Sequence, residues 1–133
     1  MKKLMLFLAL FIFLAMNAMA QNVTLTMCER YGSNGPIGVG TQFTTGYLTV
    51  VAYSNTPMYY TSVFIQFDKL GTDGSYHFYK KFPFSFPNGY KTVYFSKVGN
   101  NDMSFDEPGY YNVFLLNSSG GVIAYTTVTI VSR

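Results

Sequence analysis

The feature that most constrains this fold is a two-residue alternation of apolar and polar side chains, which recurs along the chain between turn signals. In residues 61–68, for example, Val63, Ile65 and Phe67 share one face of the predicted strand. No segment shows the three- and four-residue spacing of an amphipathic helix. The alternation therefore predicts an all-β protein with strands at residues 23–28, 47–53, 61–68, 75–82, 91–98, 109–117 and 122–132.

Turn signals separate these strands. Gly71-Thr72-Asp73-Gly74 predicts a hairpin, and Asn55-Thr56-Pro57 predicts the end of the second strand. The glycine-rich residues 29–40 predict a loop or a kinked strand that crosses between two sheets. Residues 82–87 contain two prolines without N–H groups, so we expect them to run along a sheet edge, and residues 99–108 form a predicted polar loop.

The last two strands hold apolar residues on both faces, with Phe114 and Leu116 opposite Val113 and Leu115. Such a hairpin is either central in its sheet or covered on its second face. About seven strands with frequent turns predict an antiparallel β-sandwich.

The first twenty residues predict export. Lys2 and Lys3 precede an apolar run over residues 4–16, and Ala18-Met19-Ala20 fits a signal peptidase site. The run is shorter than the roughly 20 residues that span a membrane. We therefore expect a signal peptide at residues 1–20 and one domain at residues 21–133. The domain is predicted to be secreted or periplasmic, without membrane insertion after cleavage.

The charge and cysteine content limit the partners. Removing 20 residues from 133 leaves 113, with seven basic and six acidic side chains and a net charge of +1. Nucleic acid and acidic lipid are therefore not expected partners. Cys28 is the single cysteine, so no internal disulfide is expected. We predict a small buried or edge residue there, with a mixed or intermolecular disulfide as the alternative.

Residues 107–113, Glu-Pro-Gly-Tyr-Tyr-Asn-Val, carry a family resemblance. They resemble the signature of immunoglobulin-like domains, in which an acid, a glycine and a tyrosine precede a cysteine or apolar residue. The positions that match are Glu107, Gly109, Tyr111 and Val113. The resemblance implies that Tyr111 is the corner tyrosine, whose hydroxyl binds upstream backbone. It also implies that Val113 holds the place of the second intersheet cysteine and that these residues are structural.

The chain departs from that family at two places. The position of the first cysteine falls near Leu48 or Val50, both aliphatic, and the chain has no tryptophan, so Phe64 or Phe67 would fill that volume. The chain is similar to small secreted immunoglobulin-like proteins of Gram-negative bacteria. Fibronectin III-type sandwiches remain an alternative.

No constellation predicts catalysis or a cofactor. His77 is the single histidine and lies in a predicted strand, so a catalytic partnership with Cys28 has no support in their spacing. Asp102, Asp106 and Glu107 could offer oxygen ligands to calcium, but their spacing is not that of an EF-hand, and such acids also cap turns. We therefore predict no enzyme, no cofactor and no metal, and leave calcium at this loop open.

Aromatic density predicts binding instead. A small sandwich cannot bury all of its tyrosines and phenylalanines, and exposed rings form protein interfaces or stack on sugars. The leading prediction is a non-catalytic module that binds another protein. The alternatives are a carbohydrate-binding module, a structural surface or filament subunit, and cross-strand pairs that merely shield an edge. The predicted interaction surface consists of Tyr59, Tyr60, Tyr76, Tyr79, Phe84, Phe86 and Tyr90.

Overall fold

A computed structural model describes residues 22–97 and 103–133, and these ranges contain strands but no helix. Nothing in them is a helix long and apolar enough to cross a membrane. The predicted signal peptide and the predicted strand end at Val98 lie outside the described residues. The strands are β1 (Val23–Cys28), β2 (Arg30–Gly32), β3 (Gly35–Ile37), β4 (Gln42–Thr44), β5 (Gly46–Tyr47), β6 (Thr49–Met58), β7 (Ser62–Leu70), β8 (Tyr76–Ser85), β9 (Tyr90–Phe95), β10 (Ser104–Phe105), β11 (Gly109–Asn117) and β12 (Val122–Val131).

Two main sheets pack face to face. One has the order β4-β12-β11-β7-β8 and the other the order β1-β6-β9, while β10 pairs with β5 and β2 with β3. The prediction of an all-β sandwich is confirmed, and the strand order is consistent with an immunoglobulin-like fold. One strand pair is parallel. β4 runs parallel to β12 at the edge of the five-stranded sheet, after the chain has left the three-stranded sheet.

The core lies between the two sheets and is built from the inward-facing residues of each strand. Val63, Ile65 and Phe67 are all fully buried, as their alternation predicts. The ring of Phe67 stacks on Phe105 with centroids 4.3 Å apart and meets Phe82 edge-on at 6.0 Å. Two residues were predicted to fill the volume of the missing tryptophan. Phe67 lies in the core, whereas Phe64 faces outward.

Several strand boundaries differ from those predicted. β6 continues past Pro57 to Met58, with an irregular register after Tyr53 that accommodates the proline. β8 extends to Ser85 and includes Pro83, and it lies at the edge of its sheet, as predicted for this segment. The five short strands β2 to β5 and β10 were not among the seven predicted, because two or three residues cannot show an alternation.

The glycine-rich segment 29–40 lies on the path from β1 to β4, which belong to different sheets as predicted, and within it β2 and β3 form a hairpin over the outer face of the three-stranded sheet. Tyr31 of β2 stacks on Tyr94 of β9 with centroids 4.3 Å apart and ring planes 8° from parallel. Beneath it, Cys28, Thr49 and Val51 point away from the core and are nevertheless buried. The hairpin therefore gives this sheet a second, smaller layer of packing.

Candidate functional site

Four of the seven aromatic residues predicted as an interaction surface belong to the protein interior. Tyr60, Tyr79, Phe84 and Phe86 are half-buried and pack against the core. The rings of Phe84 and Phe86 meet Phe95 edge-on, at centroid distances of 5.1 and 6.0 Å. These side chains therefore stabilise the side of the sandwich where β8 and β9 approach each other.

The three remaining residues of that prediction are exposed, but they lie at opposite ends of the molecule. Tyr76 is the first residue of β8. Tyr90 pairs with Met58, which precedes Tyr59, so Tyr59 and Tyr90 both lie near the other end of β8. The ten residues of β8 extend over roughly 30 Å. The predicted surface is therefore divided and does not form one contact face.

Another set of aromatic side chains does share one face. They point outward from strands β7, β8, β11 and β12 of the five-stranded sheet, and four of the six are exposed. Two are among the most exposed rings, with Phe78 at 65% and Tyr125 at 64% exposure. We call this surface the aromatic face, and its aromatic members are Phe64, Tyr76, Phe78, Tyr110, Phe114 and Tyr125.

Strand register brings these side chains into contact. Phe114 lies opposite Tyr125, with ring centroids 6.0 Å apart and planes at 32°. Phe64 lies between Leu116 and the neighbouring edge strand, and the Lys81 ammonium sits 4.6 Å from its ring centroid. Phe64 and Phe114 are half-buried, and the other rings of the face are exposed.

The aromatic face carries little charge. Its register positions include one cation, Lys81, and one anion, Asp68, whose carboxylate accepts a hydrogen bond from the Gln66 amide at 2.9 Å. From strand spacing and rise, the face covers about 400 Å². Part of this area is polar, because Gln66, Asp68, Asn112 and Thr127 share the face with the rings.

The signature at residues 107–113 forms a structural corner. The Tyr111 hydroxyl donates a hydrogen bond to the Glu107 carbonyl oxygen at 2.6 Å, which is the contact that the resemblance implies. Burial, together with nearby Tyr79, raises the pKa of Tyr111 well above its ordinary value. Gly109 has a φ of +152°, and a Cβ there would lie 2.9 Å from Lys69 Cε. The corner therefore needs both its tyrosine and its glycine.

Three aliphatic residues that the resemblance singled out are in the core. Val113 and Val50 are fully buried, and Leu48 is nearly so. Val113 lies on β11 and Val50 on β6, in the two facing sheets, and Leu48 lies between β5 and β6.

Comparison with known proteins does not assign a function to these surfaces. No family model matches the chain, and a search of curated proteins gives no significant match. The aromatic face is therefore interpreted from its own geometry.

Two of the three candidate calcium ligands are engaged in ion pairs. Asp106 accepts hydrogen bonds from Lys80 Nζ and Ser104 Oγ, each at 2.7 Å, and these contacts lower its pKa. Glu107 pairs with Lys69 at 3.0 Å. The third candidate, Asp102, lies outside the described residues, within which no group of three His, Cys, Asp or Glu could hold a metal ion.

His77 and Cys28 lie in different sheets. His77 Nε2 is 2.9 Å from a carboxylate oxygen of Asp73, and both side chains are exposed. The backbone N–H of Ser75 and then His77 lower the pKa of Asp73, so this cluster closes the hairpin turn. Cys28 is buried as predicted, and its thiol donates to the Arg30 carbonyl oxygen at 3.3 Å. Burial raises the pKa of that thiol.

Proposed function

We propose that residues 21–133 form an exported, non-catalytic immunoglobulin-like module that binds another protein through the aromatic face. One observation carries the proposal. The outer face of the five-stranded sheet presents six aromatic side chains, four of them exposed, whereas the β2–β3 hairpin covers part of the outer face of the other sheet. Tyrosine and phenylalanine bury large areas at low entropic cost, which suits them to protein interfaces.

The shape of the face favours a protein over a glycan. Sugar rings stack on flat aromatic platforms, and the two neighbouring rings of Phe114 and Tyr125 are tilted by 32°. Phe64 is further occupied by the Lys81 ammonium. The neighbouring Val122, which is 59% exposed, adds apolar surface that a glycan would not use. A protein with a complementary apolar and weakly charged surface fits these side chains better.

The size of the face sets an expectation for affinity. A standard interface buries about 800 Å² on each partner, roughly twice the area of the aromatic face. A partner that contacts this face alone therefore binds transiently. A tighter complex needs contacts that extend past the rim formed by Tyr76, Tyr110 and Val122.

The absence of catalysis is part of the proposal and rests on the groups described above. His77 is exposed and bound to Asp73 at the tip of a hairpin, and its cross-strand partner, Lys69, is paired with Glu107. The single thiol, Cys28, is buried beneath the β2–β3 hairpin. Neither arrangement offers a nucleophile with an adjacent base in a cleft.

Site-specific photocrosslinking tests the proposal. Benzoylphenylalanine replaces Tyr125 on the aromatic face or, as the matched control, the similarly exposed Tyr47 on β5. In cells that produce the protein, we expect one discrete protein adduct from position 125 and none from position 47. The adduct is identified by mass spectrometry, and its partner is then purified for binding measurements.

The purified partner gives the decisive comparison. Phe78→Ser combined with Tyr125→Ser should weaken its binding at least about tenfold, while Tyr47→Ser leaves it unchanged. Both substituted rings are exposed, so the fold is retained. Equal adducts at both positions, or equal affinity of the double variant and the wild type, contradicts the proposal.

A further inference from the structure

Three of the four edge strands in the two main sheets are protected against pairing with another chain. β8 contains Pro83, which has no N–H, and the charged pair Lys80 and Lys81. β4 is only three residues long. On β1, the Gly40 N–H donates to the Met27 carbonyl oxygen at 3.2 Å, so part of this edge is occupied. Proline, lysine, short length and covering segments are the usual means by which proteins block edge pairing.

The fourth edge, β9, carries one of these protections, a single lysine, and is otherwise open among the described residues. Its six residues pair with β6 on one side, and the described chain places no strand on the other. It contains no proline, and Lys91 is its single charged residue. Alternate residues of such an edge direct their backbone N–H and C=O groups outward, where they can bind a further strand.

A cleft of about 230 Å³ runs beside this edge. Val93 faces the core, whereas Thr92 and Tyr94 face outward, and all three line the cleft. The cleft therefore lies along the edge itself and not over one face of the sheet. Its full lining is Phe86, Pro87, Tyr90, Thr92, Val93 and Tyr94.

We propose that the open edge of β9 accepts an extended segment of a partner protein as a fourth strand of the three-stranded sheet. The backbone of β9 supplies hydrogen bonds to the segment. The cleft beside Phe86 and Tyr90 receives an apolar side chain from it. Strand addition of this kind derives its affinity from the main chain and its specificity from alternate side-chain pockets.

The charge of this region indicates the chemistry of the segment. Residues 86–97 contain Lys91 and Lys97 and no acidic residue. Lys97 is turned toward the ring of Tyr47, at 4.9 Å from its centroid, and Lys91 is the one charged residue of β9 itself. An acidic residue in the segment would complement it. A second copy of β9 brings a second Lys91 and no acid, so a foreign segment is the better occupant.

Panning of phage-displayed random linear peptides against the mature chain tests this inference. We expect selected peptides to alternate apolar and polar residues and to carry Asp or Glu. For a synthetic copy of one such peptide, Lys91→Glu should weaken binding roughly tenfold. The matched Lys81→Glu, on the protected β8 edge, should leave it unchanged, and thermal unfolding verifies that both variants fold.

Backbone methylation of the peptide separates strand addition from side-chain packing. Methylating one set of alternate amide nitrogens should abolish binding, because those N–H groups bond to β9, while methylating the other set should change it by less than about threefold. The inference is overturned if methylation of either set has the same effect, or if no peptide is selected. It is also overturned if light scattering shows that the chain forms a dimer through β9.

The outcome is distinguishable from that of the proposed function. Phe78→Ser with Tyr125→Ser should leave peptide binding intact, because those residues lie on the other sheet. Loss of peptide binding in that double variant, with no effect of Lys91→Glu, would place the peptides on the aromatic face. The edge inference would then fail while the aromatic face kept its binding role.

Discussion

The outer faces of the two sheets differ in how much of each face the chain itself covers. Both carry large apolar or aromatic side chains that point away from the core. On the three-stranded sheet, the β2–β3 hairpin buries Cys28, Thr49 and Val51 and stacks Tyr31 on Tyr94. On the five-stranded sheet, four of the six rings of the aromatic face are exposed. This difference is the reason why we propose that an external partner binds the aromatic face.

The exposed fraction of a side chain does not show which part of the molecule buries it. Val51 and Leu116 are both outward-facing aliphatic residues with low exposure, at 6% and 7%. Val51 is protected by a separate hairpin, whereas Leu116 is enclosed by its neighbours within the sheet, including Phe64. Removal of the hairpin would expose the first face, whereas the second is already exposed at its rim.

The largest expected effect comes from placing a charge on each face. Val51→Asp should destabilise the domain by about 3 kcal/mol or more, because the carboxylate is buried beneath the hairpin without a partner. The matched Val122→Asp, at a residue 59% exposed on the other sheet, should cost less than about 0.5 kcal/mol. Urea unfolding measures both, and similar losses would mean that the two outer faces are equally covered.

A smaller effect is expected where the aromatic face meets the core beneath it. Tyr111→Phe removes the hydroxyl that binds the Glu107 carbonyl oxygen and should cost about 1–2 kcal/mol. Its neighbour Tyr110 points outward and is exposed, so Tyr110→Phe should be neutral within about 0.5 kcal/mol. Thermal unfolding of the two variants tests whether adjacent tyrosines of β11 serve separate purposes. Equal losses would contradict the division.

The hairpin cover can be loosened and monitored through the thiol beneath it. Tyr31→Ala removes the stack on Tyr94, which should cost about 1 kcal/mol and speed the labelling of Cys28 by a disulfide reagent roughly fivefold or more. Burial raises the pKa of this thiol, so wild-type labelling should rise with pH later than for a free cysteine. Tyr125→Ala, on the aromatic face, is the control. Faster labelling of Cys28 in that variant would indicate that the whole domain has loosened, and not the hairpin alone.

The smallest effect concerns acid stability. Contacts with Lys80 and Ser104 lower the pKa of Asp106 in the folded protein, so their stabilisation is present above the unfolded pKa of about 3.9 and is lost as pH falls through the folded value. Because the Asp106 side chain is 57% exposed, the contribution is below about 1 kcal/mol. Asp106→Asn should remove this part of the pH dependence below pH 4 and leave binding at the aromatic face unchanged. If Asp106→Asn loses stability below pH 4 as the wild type does, the assignment of this pH dependence to Asp106 is contradicted.

The long strands could be predicted because alternation is a local property. β11 begins at Gly109 and ends at Asn117, as predicted. The continuation of β6 through Pro57 could not be predicted, because it depends on an irregular pairing with β9. The cover formed by β2 and β3 was also out of reach, since its two three-residue strands show no periodicity and their position depends on contacts such as Tyr31 with Tyr94.

The candidate site was predictable in kind but not in place. Aromatic density indicated exposed rings, but Tyr76 to Tyr79 offer a ring at every position, so alternation cannot distinguish inside from outside. An irregular register after Phe67 turns Phe78 outward and lets Tyr79 meet Tyr111 edge-on at 5.2 Å. On β11, apolar residues on both faces allowed a central or a covered strand. The structure shows a central strand whose second face is open.

The central claim is that the open face, and not the covered one, binds the protein partner. The most direct measurement is the affinity of the partner identified by crosslinking at position 125 for two variants. Phe78→Ser with Tyr125→Ser should weaken binding at least about tenfold, while Tyr53→Ser, at an exposed ring on the outer face of the other sheet, should leave it within about twofold. Equal affinities of both variants, or a greater loss in the second, would contradict the account.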